Sequence, residues 1–132
     1  MASRVFISFA VEDTSARDLL IGQARNARCP FELIDYSLRE PFSERWKTQC
    51  RARIGSCSAF IALLSWHTLN AEGARWEMRC AGEEGLPRLG VQIHANLPAP
   101  APQELWGVPV INWTWDGIAA FLNGSIWRGW SG

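Results

Sequence analysis

Read by its apolar and polar positions, the chain alternates short hydrophobic runs with stretches of helical period. Arg4 to Phe9 (Arg-Val-Phe-Ile-Ser-Phe) is short, β-branched and aromatic, which predicts a buried first strand. Ala16, Leu19, Leu20, Ala24 and Ala27 then recur at the spacing of an amphipathic helix. Asp13, Thr14 and Ser15 offer N-cap side chains for it. Cys29-Pro30 predicts its end, because the residue before a proline is driven out of the helical region. Phe31 to Asp35 predicts a second strand. After the polar loop Tyr36 to Phe42, Ser43 caps a helix running to about Ile54, with Trp46, Cys50 and Ile54 on one face and Gly55 past its end. Ser58 to Leu64 is apolar almost throughout, as expected of a parallel strand covered on both faces. The loop Ser65 to Asn70 leads into a helix from about Glu72 to Gly82, and Pro87 to Ile93 predicts a fourth strand. Asn96 to Gln103 alternates proline with alanine and predicts an extended loop. Val108 to Ile111 predicts a short strand whose Pro109 suits a sheet edge. Asp116 starts a last helix through Leu122, closed by Asn123-Gly124. The tail 125–132 contains Trp127 and Trp130.

Strands that alternate with helices imply a parallel sheet with right-handed crossovers. Five of them in 132 residues predict one α/β domain spanning 1–132, with the flavodoxin-like strand order 2-1-3-4-5 and helices on both faces. No internal repeat or domain boundary is visible.

Charge and cysteine usage narrow the function classes. Lys+Arg and Asp+Glu both number 13, so the formal net charge is zero, and no clustered basic face suggests a nucleic-acid partner. Lys47 is the single lysine; the other cations are arginines, which suit bidentate work on carboxylates or phosphates. Cys29, Cys50, Cys57 and Cys80 form no CxxC pair, and His67 and His94 stand at no ligand spacing to them, so no metal site is expected. Cys57 and Cys80 lie in or beside apolar patterns and read as buried free thiols. No signal peptide is apparent and no stretch approaches the roughly 20 apolar residues of a membrane helix, so a cytoplasmic protein without a membrane partner is expected.

In a parallel sheet of this order, ligands bind beyond the carboxyl ends of the strands. Those loops hold Ser8, Phe9, Glu12 and Asp13 after the first strand, and Asp35, Tyr36, Ser37 and Arg39 after the second. The third contributes Ser65, Trp66 and His67, with Glu77 on the helix that follows. Such a set suits a ribosylated planar base: rings stack on Phe9, Tyr36 or Trp66, and carboxylates accept bonds from ribose hydroxyls. A GxGxxG turn and a GxxxxGK[ST] loop are both absent, so hydride transfer and NTP hydrolysis have no phosphate cradle. A phosphoacceptor aspartate ending the third strand is absent, and so is a GxSxG elbow. On residue types alone Glu77 is equally a solvated helix carboxylate, Asp35 a cap, His67 a loop residue and Phe9 core.

Three stretches together resemble a family. Arg4-Val-Phe-Ile-Ser-Phe-Ala-Val-Glu-Asp13 resembles the opening strand and acidic loop of TIR domains. Phe31-Glu-Leu-Ile-Asp-Tyr-Ser-Leu-Arg-Glu-Pro41 is similar to the second strand and loop of the bacterial TIR-like ThsB group of the Thoeris anti-phage system. Arg53 to Ser65, with Trp66-His67-Thr68 and Arg75-Trp76-Glu77, is similar to that group's third strand and catalytic helix. The resemblance covers about Arg4 to Ile93. It implies an enzyme that cleaves NAD⁺ at the nicotinamide–ribose bond, with NAD⁺ as substrate and no separate cofactor. Its product would be a cyclic or conjugated ADP-ribose signal that activates a partner effector. The family glutamate falls on Glu77, and the surrounding family positions on Ser8, Phe9, Asp35, Tyr36, Ser37, Arg39, Trp66 and His67. Many TIR enzymes carry a tryptophan four residues before the glutamate; here that position is Gly73, and Trp76 directly precedes Glu77. Many TIR domains are non-catalytic interaction modules, and a nucleotide sensor without turnover is a further alternative. The tryptophans of the tail 125–132 suggest a self-association or partner surface.

Overall fold

The computed structural model describes residues 4–35 and 43–124. β1 (Arg4–Ser8), β2 (Glu32–Ile34), β3 (Ala59–Leu64), β4 (Arg88–Gln92) and β5 (Val110–Asn112) form one parallel sheet in the order β2-β1-β3-β4-β5. Between them run α1 (Thr14–Asn26), α2 (Glu44–Gly55) and α3 (Glu72–Glu83), and α4 (Trp115–Leu122) follows β5. The expected α/β architecture and strand order are those observed.

The alternation of side chains along each strand sorts the core into two layers. Phe6, Phe60, Ala62 and Leu64 point to one face, where α2 and α3 cover them with Trp46, Cys50, Ile54, Ala74, Met78 and Ala81. Val5, Ile7, Ile61, Leu63, Leu89 and Val91 point to the other, under Leu20 of α1 and Ile118 and Phe121 of α4. Every residue of β3 is buried, which is why that strand reads as an unbroken apolar run. Phe6 and Phe60 stack across neighbouring strands at 5.6 Å.

Element ends show where local chemistry overrides the simplest reading. Ser43 caps α2 as expected, accepting from the Trp46 amide at 3.2 Å. Gly55 lies inside that helix, not past it. α1 stops at Asn26, short of Cys29-Pro30. Arg28 takes a left-handed conformation (φ 52°), while the Cys29 and Arg28 amides donate back to the Ala24 and Arg25 carbonyls. That is a Schellman closure with arginine where glycine is usual. Asp13 makes no cap bond; its carboxylate is engaged elsewhere. β5 begins after Pro109, whose carbonyl accepts from the Gly90 amide at 2.8 Å, so the proline sits at the sheet edge without costing a ladder donor. No helix among the described residues is long and apolar enough to cross a membrane.

Candidate active site

Ser8 is the last residue of β1 and has no exposed surface. Its hydroxyl lies under α3, 2.7 Å from Oε1 of Glu77 and 3.3 Å from the Ala74 carbonyl. The other carboxyl oxygen, Oε2, is 3.6 Å from Sγ of Cys50 on α2. Glu77 is 5% exposed and no arginine or lysine pairs with it among the described residues. Burial therefore pushes its carboxyl up to about 8. Hydrogen bonds from Ser8 and Cys50 oppose the rise, and the Asp35 charge adds to it. Burial, with Glu77 as neighbour, also drives the Cys50 thiol well above its ordinary range, so it stays an S–H. Cys57 and Cys80 are buried free thiols as expected, both raised to about 11 chiefly by burial.

Glu77 opens onto a cavity of about 380 Å³ walled by Phe9, Glu12, Trp46, Asn70, Glu72 and Gly73, among others. That size is in the range of small-molecule sites. Its wall holds two aromatic rings and three carboxylates, and no arginine, lysine or histidine among the described residues. Phe9 is also covered by the Arg17 guanidinium, 5.4 Å from its ring centre. Trp46 meets Trp76 edge to face at 5.4 Å, and Arg51 lies 5.6 Å over Trp76. Trp76 thus backs the cavity wall without forming it.

Of the residues that the sequence places in the pocket loops, Glu77, Phe9 and Glu12 line the cavity, and Ser8 stands directly behind Glu77. Trp66 and His67 do not. The Ser65 hydroxyl donates to Asp13, the Ser65 amide donates to the Thr68 hydroxyl at 2.9 Å, and the His67 amide donates to Ser65 Oγ at 3.1 Å. This network folds the loop after β3 into a tight turn that ends in the short 3₁₀ segment Thr68–Asn70. Asn70 to Ala74 are thereby presented to the cavity, while Trp66 stays half exposed and His67 stands 3.8 Å from Glu12 at the surface. Asp35, just past β2, pairs with Arg17 at 2.7 Å and does not line the cavity; its charge adds to the rise of Glu77. Tyr36, Ser37 and Arg39, and the tail tryptophans Trp127 and Trp130, lie outside the described residues. Asn70 and Glu72 are wall residues that the sequence does not mark as part of the site, and so is Trp46. Its spacing with Cys50 and Ile54 marks a buried helix face, and only the packing of α2 beside α3 brings that face to the cavity.

Among the described residues no group of histidine, cysteine, aspartate and glutamate is arranged to hold a metal ion. No family model matches the chain, and no curated protein matches it. Among solved structures it is similar to the glutaminase domain of Trypanosoma brucei CTPS, solved with bound acivicin. The identity is 14%, the TM-score 0.44, and the match covers 69% of this chain and 36% of that one. The chain thus spans about a third of that protein's length. The strand order stands on this chain's own hydrogen-bond ladder, independent of that likeness.

Proposed function

We propose that the chain is an NAD⁺-cleaving enzyme of the TIR type, with Glu77 as its catalytic carboxylate. The observation that carries this reading is the placement of one buried carboxyl in an aromatic, acid-walled cavity beyond the carboxyl end of β1. NAD⁺ offers that cavity a cationic ring on a ribose. Phe9 and Trp46 give it aromatic faces, and Trp46, arriving from α2, supplies a ring on a wall where the family's usual tryptophan is replaced by Gly73. Scission at the anomeric carbon passes through an oxocarbenium-like state, which an adjacent carboxylate stabilises. Nicotinamide leaves from a cationic pyridinium, so it needs no proton from a general acid.

The raised value of Glu77 fits this role once the ligand's charge is counted. Without a cation beside it, the carboxyl holds its proton at neutral pH. A fixed positive charge about 4 Å away, at an effective dielectric of about 20, favours the ionised form by roughly 4 kcal/mol. Ionising a group of pKa near 8 at pH 7 costs only about 1.4 kcal/mol, so a bound pyridinium converts Glu77 to the carboxylate that the reaction needs. The product is proposed as an ADP-ribose-derived signal, cyclic or conjugated, that acts on a separate effector in bacterial anti-phage defence, in the cytoplasm. The test is incubation with NAD⁺ and chromatographic and mass-spectrometric resolution of the products. Free nicotinamide with an equimolar ADP-ribose-derived species supports the reading. Intact NAD⁺ alongside tight, saturable binding points instead to a sensor.

A further inference from the structure

Each oxygen of the Glu77 carboxyl has its own donor, and the two donors come from different elements. Ser8 reaches Oε1 from the end of β1, at 2.7 Å; Cys50 reaches Oε2 from the middle of α2, at 3.6 Å. Both donors are fully buried and neither lines the cavity. We infer that Ser8 and Cys50 are positioning residues for Glu77, gripping its carboxyl from behind so that its plane and rotamer stay fixed toward the cavity. The inference rests on the proposed role of Glu77, although its physical content requires no turnover.

The hydroxyl of Ser8 carries one proton and faces two acceptors, Glu77 Oε1 and the Ala74 carbonyl. When Glu77 is ionised, that proton points at the carboxylate. When Glu77 is protonated, the carboxyl O–H donates to Ser8 Oγ and the serine proton turns to the Ala74 carbonyl. Both protonation states are hydrogen-bonded, and they differ by rotation of a single hydroxyl. Cys50 contributes a weaker donor that stays protonated, so it never competes with Glu77 as an anion. Among the described residues the other titratable groups around the pair are Asp35 at the end of β2, Glu12 in the turn after β1, Glu72 and Cys80 on α3, and Arg53 on α2, whose charge acts on Cys50. None of these donates to the carboxylate, so among the described residues its charge is held by Ser8 and Cys50.

The test follows the Cδ resonance of Glu77 in protein carrying ¹³C-labelled glutamate, against pH and without substrate. The proteins compared are the wild type, Ser8→Ala, Cys50→Ala and Cys50→Val, the last filling the thiol's space without a donor. Loss of a hydrogen bond to a charged group predicts that the midpoint rises by roughly one pH unit in Ser8→Ala and by less in both Cys50 variants. Midpoints coinciding with wild type in all three variants overturn the inference; a shift in Ser8→Ala alone overturns the part assigned to Cys50. Shifted midpoints in a chain that releases no nicotinamide leave the positioning intact and sink the proposed reaction. Unshifted midpoints in a chain that cleaves NAD⁺ do the reverse.

Discussion

Glu77→Gln keeps the shape of the side chain and removes a charge that the fold disfavours, so it is expected to stabilise the protein in a pH-dependent way. Burial moves the Glu77 carboxyl from 4.5 to about 8. Between those values the native state holds a proton that the unfolded chain has released, so stability falls as pH rises across the interval. Below it both states are protonated and the group adds no pH dependence. At about 1.4 kcal/mol per pH unit, the cost is roughly 3 kcal/mol at pH 7 and on the order of 4–5 kcal/mol above pH 9. Domains of this kind are stable by only about 5–15 kcal/mol in total, so the effect is a large fraction of the whole. Glutamine escapes it, since its amide oxygen still accepts from Ser8 and nothing ionises. Urea unfolding of both proteins at pH 5, 7 and 9 measures the difference, and other titrating groups cancel in the comparison. The variant should be nearly matched to wild type at pH 5 and more stable by several kcal/mol at pH 9. A difference of the same size at both pH values would refute the claim that Glu77 is ionised at a cost.

The same carboxyl sets a kinetic expectation. Because kcat/KM reports the free enzyme, it should climb about tenfold per pH unit and level off near pH 8, while kcat, which reports the loaded site, should level off at lower pH. A pH–rate profile for nicotinamide release measures both; a flat kcat/KM between pH 6 and 8 contradicts the assignment. Trp46→Ala removes a buried ring that packs on Trp76 and walls the cavity, and it should cost about 3–5 kcal/mol in urea unfolding. Trp46→Phe should lose much less stability but still raise KM for NAD⁺, separating the packing role of the ring from its role in the wall.

The sheet was legible because its signals are local and strong. The unbroken apolar run of β3, the helical spacing behind Asp13 and the Ser43 cap each follow from side-chain chemistry within a few residues. The parallel sheet followed from the alternation of elements and the handedness of their crossovers, and the strand order from the flavodoxin-like pattern that five such strands fit. Glu77 was legible as a position but not as an environment, since its burial depends on β1 and α2 closing over it from far away in sequence. Three kinds of detail escaped for physical reasons. Asp13 reads as a helix cap, yet Ser65, fifty-two residues on, offers it a better partner. Trp66 and His67 read as wall residues, yet the turn built by Ser65 and Thr68 hands that place to Asn70 through Ala74. Trp46 and Cys50 read as a buried helix stripe. They are that, but Trp46 also borders the cavity, and periodicity along a helix does not distinguish a face against solid core from a face against a hole.

The most direct measurement is the rate of nicotinamide release from NAD⁺ by wild type and by Glu77→Gln at pH 8, each shown by circular dichroism to be folded. Removal of a group that stabilises transition-state charge costs on the order of 10²–10³-fold. Wild type is expected to release nicotinamide, and the variant, although the more stable of the two, to lose at least about that much of the rate. Release by Glu77→Gln at the wild-type rate would contradict the catalytic role of Glu77.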